Sequence, residues 1–411
     1  MTSVSAVLAR DEDTKRWSVL ALLACAELLG MSLWFAASAV APQLAARWSL
    51  SPSQAGWLTT SVQLGFVCGT GIAALLNLAD VIPSRVYFAT AAVLGATVNA
   101  GVVASDGFST ALALRFATGM ALAGVYPPAM KMAATWFRSR RGLAIGTVVG
   151  ALTVGKATPY LVHAMPSAGP GAVVLTASAC AVVAALLIVV GYSDGPYPFA
   201  PRPFSWSLVA TVLGRREWRL ATGGYLGHMF ELYSFWTWIP AFIGASIVAE
   251  RGTVSVEFAS LIAFGTIAVG GLGCIWGGLA ADARGRERLV TIAMALSGSC
   301  ALLTPVAFGR SLWLLAPLAL AWGFFVIADS AQFSTLVTEA VPPHAVGTAL
   351  TVQTSLGFLL TMVSIQLVPP IVGVVGWRWA FPMLAIGPAA GIAAIRRLAR
   401  SRTVRPDDAR A

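Results

Sequence analysis

Two glutamates lie deep inside apolar stretches of the sequence, and each is followed by a tryptophan seven residues later. Glu27 precedes Trp34 in the first half of the chain, and Glu231 precedes Trp238 in the second half. Positions seven residues apart share one face of an α-helix. A carboxylate inside an apolar helix is costly unless it faces a cavity or a polar partner. The spacing therefore predicts that each glutamate and its tryptophan face a cavity.

The composition is that of an integral membrane protein. Hydrophobic residues make up 57% of the 411 residues and charged residues only 11%, whereas about a quarter of the residues in a soluble domain are charged. The net charge of +10 comes from short basic runs between apolar segments, so it does not indicate a nucleic-acid partner. The five cysteines have no metal-ligand spacing, and no nucleotide-binding loop or nucleophile motif is present. We therefore expect no metal, no cofactor and no enzymatic activity.

Twelve apolar segments are long enough to cross a bilayer, which requires about 20 residues as a helix. Helices rather than a barrel follow from the length of the runs. A polar stretch, 193–218, divides the chain into bundles at 17–192 and 219–398, with tails at 1–16 and 399–411. The prediction is an all-α polytopic fold whose segments lie near 17–41, 55–78, 86–104, 110–136, 142–165, 171–192, 219–247, 255–281, 289–308, 311–338, 345–369 and 377–398.

The two bundles look like copies of one another. Glu27 and Glu231 are 204 residues apart, Asp80 and Asp282 are 202 apart, and glycines 142 and 347 are 205 apart. Each pair occupies an equivalent place in its half, which is typical of transporters built from internal repeats. We therefore expect two pseudo-symmetric six-helix bundles with a binding site between them.

The distribution of positive charge predicts the orientation in the membrane. If the N-terminus is cytoplasmic, the cytoplasmic segments hold 20 of the 27 Lys and Arg residues and the outer loops hold 4. Short cytoplasmic loops carry such an excess of Lys and Arg. We therefore expect both termini in the cytoplasm and a location in the plasma (inner) membrane.

Two short motifs resemble those of the major facilitator superfamily. One is "GGLAADARGRER" after the eighth segment, and the other is "RFATG" in the fourth, where Arg115 precedes a glycine by four residues. The resemblance implies a monomeric twelve-span carrier in which the first and seventh spans line a central cavity from opposite halves. It also implies a conformational latch in the loop motif, formed by Gly278, Asp282, Gly285, Arg286 and Arg288.

The first half departs from this pattern. The loop "LLNLADVIPSR" keeps Asp80 and Arg85 but lacks the expected glycines. The fifth segment, "GTVVGALTVGKATP", is only loosely similar to the glycine-proline motif of proton antiporters. The loop after the second segment and the loop after the eighth segment both remain candidates for gating. The direction of transport stays open.

Ionisable residues within the segments are candidates for proton coupling. Low-dielectric surroundings favour the neutral form of a carboxyl group, so Glu27 and Glu231 could exchange protons. His228 precedes Glu231 by three residues and could take part in a relay. In the resembling motif Arg115 is tied to proton coupling, and Glu27 is its natural counter-ion. Asp329 is a further candidate; the alternative is that each group only bonds neighbouring helices together.

Three cations in the first half, including Arg115, suggest a site that holds an anion. Lys131 follows a proline-broken stretch, and Lys156 shares a helix face with Tyr160. The other candidates for substrate contact are aromatic or amide side chains within the segments. The full set of substrate candidates is Trp34, Tyr126, Lys131, Lys156, Tyr160, Trp238, Gln332 and Gln353.

These residues favour a proton-coupled secondary transporter of a small anionic solute that works by alternating access. Its partners would be protons, a small-molecule substrate and the lipid bilayer, with no nucleic acid. Two alternatives stay open. One is efflux of amphiphilic or cationic compounds by proton antiport, and the other is a membrane sensor on the same scaffold that transports nothing.

Overall fold

The computed structural model describes residues 14–138, 140–166, 168–197, 205–253 and 255–403. Within these ranges the chain is helical, with no strand. The end of each predicted tail and part of the predicted central loop lie outside the described residues. The first half contains α1 (Lys15–Met31), α2 (Ala36–Ala39), α3 (Ala41–Trp48), α4 (Pro52–Leu75), α5 (Leu78–Val81), α6 (Ser84–Gly101), α7 (Phe108–Leu122), α8 (Tyr126–Ala134), α9 (Arg141–His163) and α10 (Pro170–Gly191).

The second half follows a short helix in the central loop. The helices are α11 (Trp206–Gly214), α12 (Arg216–Arg251), α13 (Val256–Ala268), α14 (Gly270–Arg284), α15 (Arg286–Ala307), α16 (Leu312–Ala328), α17 (Ser330–Glu339), α18 (Val346–Ala380) and α19 (Ile386–Thr403). Short 3₁₀ turns lie at Val102–Ala104, Pro343–Ala345 and Phe381–Ala385.

Each of the twelve predicted segments coincides with one helix or with abutting helices. Ten helical stretches of the described chain are long and apolar enough to cross a membrane. The first predicted segment is not among them, because α1 ends at Met31 and a turn precedes α2. The last two are joined, since α18 continues through Gly376, where a φ of +73° bends the backbone. The helical fold is confirmed, and twelve crossings stay a prediction.

The packing of the helices repeats with an offset of 204 residues. Gly119 on α7 has no room for a Cβ atom because it lies against the carbonyl of Val62 on α4. In the second half, Gly323 on α16 lies in the same way against the carbonyl of Thr266 on α13. Glycine permits such close backbone approach. The equivalent contacts support the predicted duplication at the level of individual residues.

Three large helix–helix contacts join the halves. The α9 helix packs against α13 and α14, and α4 packs against α18. At the contact between α9 and α14 a Cβ on Gly150 would lie only 2.9 Å from the carbonyl oxygen of Gly271. The first half therefore contributes α4 and α9 to the contact, and the second half contributes α13, α14 and α18. A cavity lies between the two halves.

Replacing Gly119 with alanine should destabilise the first half. The added methyl group has no space beside the Val62 carbonyl, and overpacking typically costs about 1–3 kcal/mol. We expect a lower midpoint for thermal unfolding of the purified protein in detergent. Gly71→Ala is the matched control, because nothing lies within 4 Å of its added Cβ. Equal midpoints for the two variants would contradict the close packing.

Candidate functional site

A cavity of about 90 Å³ lies between the two halves. Its walls are mainly aromatic and aliphatic, with hydroxyl groups on the second-half side. Four of the predicted substrate residues line it, namely Trp34, Tyr126, Lys156 and Gln353. Tyr233, Trp236 and Phe358 face them from the second half. The predicted site and the cavity therefore overlap around the ends of α1 and α9 and the middle of α12.

Lys156 occupies the centre of this aromatic surface. It is only 2% exposed, and its Nζ donates a hydrogen bond of 2.6 Å to the Tyr233 hydroxyl. The same atom lies 4.1 Å from the ring centroid of Trp34 and 5.1 Å from that of Trp236. Aromatic faces stabilise a desolvated cation. Among the described residues that line the cavity, Lys156 is the only charged side chain.

Glu27 lies directly behind this wall. Gly155 packs against the backbone of Leu28, so α9 and α1 approach closely next to both ionisable residues. Glu27 is fully buried, and its neighbour Leu28 lies against Gly155, the neighbour of Lys156, which lines the cavity. Neither carboxyl oxygen has a hydrogen-bond partner among the described residues. An unsatisfied buried carboxyl group beside a lysine is a feature that function explains better than packing does.

Glu231 has a different environment, although it is the equivalent residue of the second half. Ser297 donates a hydrogen bond of 2.8 Å to one carboxyl oxygen, and the Trp322 indole donates one of 2.8 Å to the other. Both partners belong to the second half, and Glu231 does not line the described cavity. The expectation that both glutamates face one chamber is therefore wrong. Glu27 lies behind the cavity wall, and Glu231 joins α12 to α15 and α16.

Arg115 does not pair with Glu27. The guanidinium group donates hydrogen bonds to main-chain carbonyls in the turn after α1 and in α4. The acceptors are the carbonyls of Leu33, Trp34 and Leu58 and the side-chain oxygen of Asn99. The expected counter-ion is thus replaced by backbone oxygens, and Arg115 holds the broken first segment in place.

His228 and Asp329 form a second buried pair, separate from the cavity. The imidazole Nδ1 lies 2.9 Å from Asp329 Oδ1, and both side chains are at most 2% exposed. Asp329 lies at the junction between α16 and α17. Gln332, one turn further on, is buried and does not line the cavity. These three residues therefore lie within the second half and not at the interface between the halves.

Three other predicted substrate residues also lie away from the cavity. Lys131 donates hydrogen bonds of 2.7 Å to Asp80 and 2.5 Å to the carbonyl of Ala79, at the loop after α4. The Trp238 indole donates one of 2.9 Å to the carbonyl of Ile365. Tyr160 is buried, with its ring centroid 6.3 Å from that of Phe35. The structure thus leaves Lys156 as the single predicted lysine at the site.

The comparisons with known proteins agree with this architecture. The sequence profile of the Major Facilitator Superfamily matches residues 22–365. The chain belongs to this superfamily. No curated protein sequence shows a significant match to it.

Solved structures with the same fold include a bacterial homolog of the human lysosomal transporter Spinster. Its inward-facing, occupied form has 15% sequence identity and a TM-score of 0.72, and the match covers 94% of this chain and 97% of that chain. The transporter FucP in the outward conformation has 16% identity and a TM-score of 0.66, with 92% and 98% covered. At these identities the likeness establishes the fold.

The loop motif of this superfamily member takes part in ion pairs between helix ends. Gly285 has a φ of +85°, which lets the chain turn from α14 into α15. Arg286 then binds Glu339 at the end of α17 with an N···O distance of 2.7 Å. Arg402 binds the same glutamate at 3.2 Å and Glu287 at 2.6 Å.

The remaining motif residues do not extend this network. Asp282, Arg288 and Arg85 are exposed, and Gly278 lies near the carbonyl of Gly142 at the contact between α14 and α9. In the first half Asp80 pairs with Lys131, so a loop and the end of the following span are joined there too. Each half thus has an ion pair that joins the loop after one span to the end of a following helix, although the paired residues are not at equivalent positions.

Hydrogen bonds between the halves close the side of the cavity away from these loops. Ser53 donates to Gln366 at 2.8 Å, and Thr361 donates to Gln63. Across the other contact, His163 lies 3.0 Å from the Ser260 hydroxyl. These contacts could not be predicted from the sequence, because single polar residues at the ends of segments form no recognisable motif. The cavity therefore lies on the side of the Asp80 and Gly285 loops.

Replacing Arg115 with methionine should lower the stability of the protein. Each buried acceptor left without a donor costs about 1–3 kcal/mol, and Arg115 satisfies several acceptors at once. We expect a large drop in the midpoint of thermal unfolding in detergent, with a much smaller change for Arg85→Met, which removes an exposed arginine. An unchanged midpoint for the Arg115 variant would contradict the structural role.

Proposed function

We propose that this protein carries a small organic anion across the membrane by alternating access, coupled to protons. The observation that carries the proposal is Lys156, the only charged side chain among the described residues that line the cavity between the halves. Its immediate partners are π faces and a neutral hydroxyl group, none of which carries a full negative charge. A carboxylate of the substrate would supply that charge within a site where water is largely excluded.

The walls of the cavity support an anion with an apolar or aromatic body. Trp34, Trp236 and Phe358 offer broad ring surfaces around Lys156, and aromatic rings contribute large apolar contact areas. Gln353 and Ser330 supply polar groups on the second-half side. Ligand sites commonly combine such apolar walls with a few polar groups that fix orientation. The small cavity favours a compact monoanion.

The charge of Glu27 supports coupling to protons. While Glu27 is ionised, its carboxylate offsets the charge of Lys156. Once Glu27 takes up a proton, the ammonium group is uncompensated, and a second anion can take the place of the carboxylate. Binding of the proton and binding of the anion then favour each other, which is the requirement for symport.

The contacts between the halves support an alternating-access cycle. The side with Ser53, Gln63 and His163 is closed by hydrogen bonds to the other half, while the cavity lies towards the loop motifs. With the orientation favoured by the charge bias, this conformation faces the cytoplasm. Opening to the outside would break the bonds on the closed side, and rocking of two repeats about a central site achieves this.

One observation favours a second candidate, the efflux of amphiphilic compounds. The cavity has many aromatic and methionine side chains, among them Met31 and Met229, and such surfaces adapt to varied apolar ligands. A cationic compound would be repelled by Lys156, so this candidate requires a neutral or acidic amphiphile, or a deprotonated lysine.

Lys156→Met should weaken binding of the anion strongly and leave the fold intact. A thermal-shift panel of aromatic and aliphatic monocarboxylates on the purified protein would identify a ligand, and uptake of that ligand into proteoliposomes would follow. We expect at least roughly a hundredfold loss of affinity, since a charge-assisted contact in a buried site contributes about 3 kcal/mol. Lys131→Met is the matched control and should keep the affinity. Equal affinity in the Lys156 variant and the wild type would refute the anion site.

Glu27→Gln should remove the dependence of transport on pH. In the wild type, acidification on the side of entry protonates Glu27 and increases uptake of the anion, so uptake falls as the pH rises. The glutamine is permanently neutral, so we expect exchange of anion for anion to continue while a pH gradient no longer drives accumulation. Glu231→Gln is the matched control, because its partners Ser297 and Trp322 lie within one half. Gradient-driven accumulation by the Glu27 variant would exclude this coupling.

A further inference from the structure

The short α11 helix in the central loop has three distinct faces. Leu208 and Val212 lie one turn apart and turn towards the protein, where Val212 is fully buried. Ser207 and Thr211 form a second, polar stripe, and both are exposed. Trp206, Ala210 and Leu213 follow at the spacing i, i+4 and i+7, so they share a third stripe.

The third stripe is apolar and largely exposed. Trp206 is 71% exposed and Leu213 is 42% exposed. One face of α11 thus contacts protein, one is suited to water, and one is suited to an apolar medium. An apolar stripe beside a polar one suits the interface of a bilayer, where tryptophan is enriched.

Arginines follow directly after this helix. Arg215, Arg216 and Arg219 are exposed at the start of α12, and the Arg219 guanidinium donates a hydrogen bond of 3.2 Å to the carbonyl of Leu213. Arg215 and Arg216 also line a groove that contains Glu217 and Glu339. Glu339 already binds Arg286 and Arg402, so the groove keeps an excess of positive charge on its arginine side.

We infer that α11 and the arginines behind it form a docking surface for anionic phospholipids of the adjacent leaflet. The bilayer is the favoured occupant because α12 crosses it immediately after α11, so lipid headgroups lie beside this surface. Arginine side chains near an anionic leaflet are attracted to its phosphate groups. The apolar stripe would enter the boundary between headgroups and acyl chains while the guanidinium groups bind phosphate.

This surface would also connect the lipid to the moving half. The α11 helix packs against α12 and α18, and Val212 belongs to the same buried cluster as Trp218 and Ala349. A helix that is held both by the leaflet and by this cluster fixes the cytoplasmic end of the second half relative to the membrane. Binding of anionic lipid would therefore affect the movement of the second half relative to the first.

Depth-dependent quenching of a fluorescent label tests the orientation of α11. The five native cysteines are replaced by alanine, and Leu213→Cys or Thr211→Cys is labelled with bimane in vesicles of phosphatidylcholine and phosphatidylglycerol. We expect nitroxide-labelled lipid to quench the label at 213 at least about threefold more than the label at 211, with the reverse order for aqueous iodide. Equal quenching at the two positions, or strong iodide quenching at 213, would overturn the docking surface.

A lipid titration tests the arginines without any assay of transport. Fluorescent phosphatidylglycerol is added to the detergent-solubilised protein, with fluorescent phosphatidylcholine as the neutral comparison. Because each arginine close to an anionic headgroup contributes about fivefold, the Arg215→Gln/Arg216→Gln double variant should bind phosphatidylglycerol roughly twentyfold more weakly. Arg310→Gln, on the opposite side of the molecule, is the control. Unchanged affinity in the double variant, or an equal loss in the control, would contradict the inference.

Discussion

A lysine ammonium group buried between two halves of a membrane protein is the interaction on which the rest of this structure depends. Removing such a charge from water is costly unless other groups compensate. Here the compensation comes from both halves, with the ring of Trp34 on one side and the hydroxyl and rings of Tyr233 and Trp236 on the other. The charge of Lys156 is therefore stabilised by side chains of both halves.

Glutamates at equivalent positions of the two halves have different surroundings. Glu27 and Glu231 are equivalent by position, and the surrounding glycine contacts repeat with the same offset. Yet Glu231 is satisfied by Ser297 and Trp322, while Glu27 has no hydrogen-bond partner in the described chain. One copy of the carboxyl group thus strengthens its own bundle, and the other lies beside the central lysine. The two halves thus share their helix packing, while the residues around the equivalent glutamates differ.

Much of the fold could be predicted from the sequence because hydropathy and repeat spacing act locally. The site was harder to predict. Arg115 binds two carbonyls in the turn that follows α1, and no motif in an apolar segment marks that turn. The partners of Glu231 come from α15 and α16, far along the chain. Tyr233 and Trp236 could not be distinguished from other aromatic residues, since only the cavity shows which rings surround Lys156.

We propose that Glu27 and a transported anion compete for one buried ammonium group, that of Lys156. The most direct test is calorimetric titration of the purified protein with a monocarboxylate that binds to it. The titration is repeated in buffers of different ionisation enthalpy, at a pH where Glu27 of the unliganded protein is ionised. We expect uptake of about one proton for each anion bound, and no uptake in the Glu27→Gln variant. Anion binding by the wild type without proton uptake would contradict competition between Glu27 and the anion.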